Sequence, residues 1–426
     1  MPPVSGKLEL RLPEAPAGRR SPGVRKWFEG RSGIMELLGK SLEELRAYCK
    51  SLGEPEYRGG QIYHALYAER KFDFAGMTNL PGSLREKLAR EASITLPEVR
   101  RRYFSKDGSV RYLLGIGEEG KGSSAEDAEF TEKSRQTRQK PAAVEAVFMP
   151  GEGRQTICIS TQAGCAVDCQ FCLTAQLGLI RNLTAGEIVG QVLVPLQEMG
   201  EAPEKNSGAA TNDATDDADE GGLAGRTNVV LMGQGEPLLN FENVMVALRI
   251  LLDKEGVGLS PKHVTLSTSG IVPGMERLAK EEVRPKLAIS LNASNDEQRD
   301  ALMPINRKYP LKVLMEACRE YPLRNWEHLT FEYVMLGGVN DAAEDARRVA
   351  RLLAPLKSVK VNLIPWNPGE LPYKESNEET IEAFRRILTE RGVPAFVRYS
   401  RGRDVMAACG QLALLEVKNS PLAVLP

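Results

Sequence analysis

The sequence predicts an α/β fold: a partial (β/α)6 TIM-like barrel preceded by a small N-terminal α+β accessory domain. Two observations carry that expectation. From residue 156 onward, a β-branched run, a polar or Gly-rich junction and a helical stretch recur about six times. The runs are mostly continuous in apolar residues, as in parallel strands covered on both faces. Parallel strands joined by helices curve into full or partial barrels, whose chemistry sits at the carboxyl ends of the strands. The polar junctions should therefore converge on one site.

Taken in order, residues 1–33 combine Pro2, Pro3, Pro13, Pro16 and Pro22 with scattered Arg and no apolar core. They read as a disordered basic tail and not as a secretory signal. Residues 34–116 form the accessory domain. Ser41 and Glu44 make a capping box that starts one helix. Tyr63, Leu66 and Tyr67 share one face of a second, and Leu84 and Leu88 one face of a third. Val99–Phe104 and Val110–Leu114, joined through Asp107-Gly108, read as a hairpin. Such a unit suits RNA binding, and a plain packing module suits these residues as well. Residues 117–140 lack periodicity and read as a surface insertion. The barrel core spans 141–415, interrupted by an acidic insertion at 200–225, and 416–426 are a terminal tail.

Charge and cysteine usage narrow the class. The net charge is −1, but Lys205–Glu220 alone holds one base and five acids, so the remainder is mildly basic. That is a weak pointer to nucleic acid. No stretch approaches the 18 or so apolar residues of a membrane span. Seven cysteines, an odd number with three clustered, argue against a disulfide framework and for a reducing, cytoplasmic setting.

The three clustered thiols, Cys165, Cys169 and Cys172, are spaced C-x3-C-x2-C just after the first barrel strand, Thr156–Thr161. Thiolates ligate iron–sulfur clusters and zinc. Structural zinc takes a closed set of four ligands, whereas a [4Fe–4S] cluster held by three cysteines keeps one iron open. Buried cysteines, or a zinc knuckle with a distant fourth ligand, are the bland alternatives. The later strand ends carry Gly233-Gln234-Gly235-Glu236-Pro237, Ser267-Thr268-Ser269-Gly270, Ser290-Leu291-Asn292, Gly337–Asp341 and Pro365-Trp366-Asn367-Pro368. Glycine there lets backbone approach a ligand, and Glu236 offers an acceptor for an amino group or ribose.

The three-cysteine spacing, the Gly-Glu-Pro strand end and the Ser-rich strand end together resemble the radical S-adenosylmethionine superfamily. Cys158–Cys165, Leu231–Leu239, Val264–Gly270, Phe331–Asp341, Asn362–Pro368 and Ala407–Leu412 further resemble its RlmN-type dual-specificity methyltransferases, over roughly residues 35–415. The resemblance implies methylation of adenine C2 in 23S rRNA and tRNA, with a [4Fe–4S] cluster on Cys165, Cys169 and Cys172. It implies S-adenosylmethionine bound by Gly235, Glu236, Ser267, Ser290, Leu291, Asn292 and Asn367. It further implies a monomer supplied with electrons by flavodoxin or ferredoxin. Where the family often has His, Asn292 stands here.

Adenine C2 is an electrophilic carbon, so direct displacement on a sulfonium methyl cannot use it as the nucleophile. The resemblance implies another route. Cys409 is methylated first, a hydrogen atom is taken from its S-methyl group, and the resulting carbon adds to the ring. Cys158 then releases the RNA by forming a disulfide with Cys409, and Glu145 accepts the ring proton. Thiol–disulfide exchange needs thiolate character and access. Two buried small apolar residues are the plain reading of Cys158 and Cys409, as for Cys49 and Cys318, which receive no role. Adenine C8 methylation of the Cfr type shares these motifs, and a non-catalytic iron–sulfur or zinc RNA-binding protein is the alternative outside enzymes.

Overall fold

A computed structural model describes residues 34–117, 142–151, 153–201 and 226–413. The tail over 1–33, the terminal segment 416–426 and all but the edges of both insertions lie outside these residues.

The N-terminal unit consists of β1 (Met35–Glu36), α1 (Leu42–Ser51), α2 (Tyr57–Tyr67), α3 (Gly82–Glu91) and β2 (Ala92–Ser93). The capping box is formed: Glu44 N donates to Ser41 Oγ and Ser41 N to Glu44 Oε2. The unit is not a separate body. Its Leu45, Ile62, Leu66 and Leu84 belong to the same continuous core as the barrel residues Ile188, Leu248 and Leu266. A Cβ on Gly39 would stand 2.2 Å from the backbone nitrogen of Gly186, so the two glycines let the chains touch. Tyr63 Oη donates to Asp253 at 3.0 Å, a second tie into the barrel.

One ten-stranded sheet organises the rest. The hairpin β3 (Glu98–Phe104) and β4 (Val110–Ile116) pairs antiparallel with β5 (Ala142–Met149), which pairs antiparallel with β6 (Gln155–Cys158). The expected boundary at residue 116 therefore cuts a continuous sheet, and the hairpin belongs to the core. Long-range pairing of this kind depends on which sheet edge is free, which local pattern does not encode. A short antiparallel pair outside this sheet, β7 (Gln162–Gly164) and β8 (Leu179–Asn182), brackets the cysteine loop and was not anticipated.

Beyond β6 the strands run parallel: β9 (Thr227–Leu231), β10 (Val264–Thr268), β11 (Lys286–Ser290), β12 (Leu329–Met335), β13 (Val359–Pro365) and β14 (Ala395–Val397). The first barrel strand ends at Cys158, short of the expected Thr161. The helices α4 (Ala185–Glu201), α5 (Phe241–Leu252), α6 (Val272–Leu278), α7 (Asp296–Leu302), α8 (Leu311–Glu320), α9 (Ala343–Leu353) and α10 (Glu378–Glu390) follow the strands as expected. The sheet ends at β14 and β3 without closing, so the barrel is partial. Side chains alternate along each strand. In β10, Val264, Leu266 and Thr268 are buried while Thr265 and Ser267 are half-buried and face inward. Among the described residues no helix is long and apolar enough to cross a membrane.

Candidate active site

The cysteine loop follows β7 and is held by backbone. Cys165 N donates to Gly178 O at 3.0 Å, Gln170 N to Leu302 O at 2.9 Å and Cys172 N to Cys169 O at 3.1 Å. Asp168 takes a left-handed φ of 59° in the turn between the thiols. Burial pushes all three thiols up, Cys165 to about 12. Thiolates in this setting need a compensating cation, and iron provides one. Among the described residues no three His, Cys, Asp or Glu side chains converge on a single-ion site. A structural zinc takes a closed set of four ligands, whereas three thiols on one loop can hold a [4Fe–4S] cluster with one iron left open.

The residues expected to bind S-adenosylmethionine gather at the carboxyl ends of β9 to β11, with Asn367 just past β13. Gly235 has φ 98°, and a Cβ there would stand 2.5 Å from Gln162. Glu236 is buried and accepts from Ser269 N at 2.7 Å, Ser269 Oγ at 2.8 Å and Leu238 N at 3.1 Å. Burial pushes its carboxyl up against those hydrogen bonds. Ser267 Oγ donates to Glu332 at 2.9 Å. Ser290 is half-buried at the end of β11, and Leu291 N donates to Glu332 O at 2.9 Å. Asn292 has φ 54°, accepts from Val334 N at 2.8 Å and donates to Met303 Sδ, so its amide braces β12. Asn367 donates to Ser400 Oγ at 2.9 Å and to Cys409 O at 3.1 Å, anchoring the segment that carries Cys409.

Cys158, Cys172 and Cys409 line one cavity of about 500 Å³ inside the barrel. Cys158 ends β6 and is buried; burial first, then Cys409, pushes its thiol up. Cys409 is solvent-accessible, and the surface it shows is cavity wall. Enclosure there, then Glu332, pushes it to about 12. Its segment crosses the open side of the barrel. Leu173 N donates to Gly410 O at 2.8 Å, Thr174 Oγ1 to Leu412 O at 2.5 Å and Gly402 N to Asp107 Oδ2 at 2.8 Å. A β14-side strap is thereby tied to both the cysteine loop and the β3–β4 turn. Glu145 does not stand on that cavity wall. It is buried in β5, where Arg111 Nη1 donates to its Oε1 at 2.7 Å while the Tyr103 ring covers the guanidinium at 4.1 Å.

Four features escaped the sequence reading. Arg111 pairs with Glu145 as just described. Arg299 is fully buried and donates to the carbonyls of Ser269 (2.7 Å), Ser290 (3.2 Å) and Leu291 (3.2 Å), clamping the ends of β10 and β11. Burial lowers its guanidinium to about 10. Glu332 faces inward, and burial pushes its carboxyl up. Arg154, Lys286, Lys360 and Arg398 place a set of cations on the cavity wall. For Lys286, Glu332 and Lys360 the signal was present as polar residues at alternate positions of otherwise apolar strands. Cys49 and Cys318 are buried in α1 and α8, as a packing role requires.

Comparison with known proteins follows the same geometry. The radical SAM superfamily model matches residues 159–353, and the model of the ribosomal RNA large subunit methyltransferase N-terminal domain matches residues 35–94. The latter stops before β3, where the helical unit ends. A probable dual-specificity RNA methyltransferase RlmN of Koribacter versatilis is 47% identical over 368 residues, 86% of this chain and 98% of that protein. The RlmN of Cereibacter sphaeroides (strain ATCC 17025) is 44% identical over 397 residues, 91% of each chain. The crystal structure of a radical SAM methyltransferase from Sphaerobacter thermophilus superposes with a TM-score of 0.73 at 39% identity, covering 89% of this chain and 99% of that one. With this partial barrel, cysteine loop and N-terminal unit, the chain belongs to the RlmN family of dual-specificity RNA methyltransferases in the radical SAM superfamily.

Proposed function

We propose that this enzyme methylates C2 of adenine in 23S rRNA and of the adenine 3′ to the anticodon in tRNA, through a methylcysteine and a transient disulfide. The observation that carries the reading is the shared cavity of Cys158 and Cys409 beside Cys172. A radical source needs only the three-cysteine loop; a carrier thiol and a second thiol within the same enclosure suit covalent capture and release of a base.

Cys165, Cys169 and Cys172 would hold a [4Fe–4S] cluster, which with S-adenosylmethionine at Gly235, Glu236, Ser267, Ser290, Leu291, Asn292 and Asn367 supplies one-electron reductive chemistry. Cys409 is the methyl carrier: its sulfur takes the methyl group, that group gives up one hydrogen atom, and the remaining carbon radical bonds to the ring, whose odd electron would return to the one-electron centre held by the cysteine loop as the ring proton leaves. The resemblance assigns the proton leaving the ring carbon to Glu145; because that carboxylate is paired with Arg111 behind the cavity wall, the proton would reach it through an intervening group. Cys158 then attacks the Cys409 sulfur. The S–S bond forms as the S–C bond breaks, and its electron pair stays with the carbon, which takes up a proton to become the methyl group. Enclosure disfavours the thiolate at both cysteines, so each step that uses one as a nucleophile needs its proton removed. On this reading the enzyme is a cytoplasmic monomer reduced by flavodoxin or ferredoxin.

Mass spectrometry of nuclease-digested RNA from a deletion strain tests the proposal. Loss of 2-methyladenosine is expected. Its persistence overturns the assignment, and loss of 8-methyladenosine instead would establish the C8 reaction.

A further inference from the structure

The inner face of the barrel carries several cations. Lys286 opens β11, Lys360 is the second residue of β13, and Arg154 and Arg398 flank β6 and β14. All four line the cavity that holds Cys158 and Cys409, and Glu332 is the one carboxylate on its described wall. Strand register explains the grouping. Cys158, Val230, Thr265 and Lys286 stand in one row across β6, β9, β10 and β11, and the next rows bring Lys360 beside Thr330. Among the described residues neither Lys286 nor Lys360 has a carboxylate within ion-pair distance. Burial first, then Lys360, Arg398 and Arg154, disfavours the charge on Lys286, and Glu327 only partly offsets them. Burial and then Arg398 do the same at Lys360. A partly buried group of like charges is stabilised when an anion joins it.

Position selects the anion. Lys286 and Ser290 lie on one strand, four residues apart, so at about 3.3 Å per residue roughly 13 Å separates them. Ser290 belongs to the strand ends expected to bind the cofactor, and its carboxylate would sit there. We propose that Lys286, Lys360 and Arg398 form a subsite for a backbone phosphodiester of the RNA, that of the nucleotide whose adenine meets Cys409. The inference rests on the RNA methylation reading. These are positioning residues. Phosphate contacts fix the register of a strand, while contacts to the unstacked base specify it, and a cavity of about 500 Å³ accommodates a ligand of nucleotide size.

The test uses the full-length, cluster-loaded protein with an anticodon-arm RNA hairpin carrying an adenine 3′ to the anticodon. The Lys286→Gln/Lys360→Gln variant should bind this hairpin at least tenfold more weakly. Its log Kd against log salt concentration should lose a slope of about one, the signature of one lost phosphate contact. The Lys286→Arg/Lys360→Arg variant should keep the wild-type slope, and both should bind S-adenosylmethionine like the wild type. An unchanged slope overturns the subsite. So does a loss of cofactor affinity with RNA binding intact, which would assign the cations to the cofactor carboxylate. Should the Gln variant fail to take up iron, loss of the wild-type slope in the Arg variant overturns the subsite. A wild type that binds the hairpin without methylating it refutes the underlying reading instead.

Discussion

Removing Arg111 while leaving Glu145 strands a carboxylate in the interior of the β4–β5 ladder. The two side chains are essentially inaccessible, at 0% and 1% exposure, and 2.7 Å apart. Breaking such a pair from one side costs about 3–5 kcal/mol, whereas replacing both partners by apolar residues is often neutral. Arg111→Leu should therefore lower Tm by about 4–6 °C in a chain of this size. The double Arg111→Leu/Glu145→Leu variant should recover most of that loss. With Glu145→Leu as the other single variant, thermal unfolding by circular dichroism under anaerobic conditions measures all four corners of the cycle. Glu145→Gln separates packing from chemistry. Its amide oxygen still accepts from Arg111, and the Tyr103 ring still covers the cation, so it should lose only about 1–3 kcal/mol. If Glu145 accepts the ring proton, that folded variant should nonetheless accumulate protein–RNA adduct. A coupling below about 0.5 kcal/mol would refute the pair, and wild-type turnover in Glu145→Gln would refute the proton role.

Three further outcomes are expected. If Cys158 releases the RNA as proposed, Cys158→Ala should be isolated with RNA attached through Cys409; denaturing gels with and without nuclease reveal it, and a free protein counts against the release step. Arg299→Lys cannot reach all of its carbonyl acceptors, and losing two charge-assisted bonds should cost about 3 kcal/mol and weaken S-adenosylmethionine binding; iron content should hold, since Arg299 ligates none of it, and calorimetric titration of the cofactor checks the split. Burial opposes ionisation of Asp107, but the amides of Gly402 and Ser109 hold its carboxyl down to about 2, below its ordinary 3.8. A depressed acid lends stability above its unfolded pKa and loses it as pH falls through the folded one, so pepsin should begin to cut the strap around Gly402 between about pH 4 and 2, whereas Asp107→Asn should be cut equally throughout that window.

What the sequence made legible is what neighbouring residues encode. Cys165, Cys169 and Cys172 fall within eight positions, so their closeness in space needed no fold to be seen. The parallel strands were readable because burial on both faces demands apolar runs, and α5 and α8 were readable to the residue because their apolar faces are periodic. The hairpin was found as a hairpin, but its membership in the sheet rests on β4 meeting β5 across a long connection. Arg111 shows why such partners stay hidden. In Val110-Arg111-Tyr112-Leu113 it looks like the exposed position of an edge strand, and only the antiparallel register of β4 with β5 puts Glu145 within its reach. Lys286 and Lys360 carry the opposite lesson. A strand buried on both faces has no apolar reason to place Lys at its start or Ser, Glu and Asn at alternate positions. The sequences Lys-Leu-Ala-Ile-Ser, Glu-Tyr-Val and Lys-Val-Asn thus record a barrel whose inner face carries polar and charged side chains. That pattern sets the lumen apart from an apolar, fully packed one, and Cys158 and Cys409 line the same cavity as these polar and charged side chains.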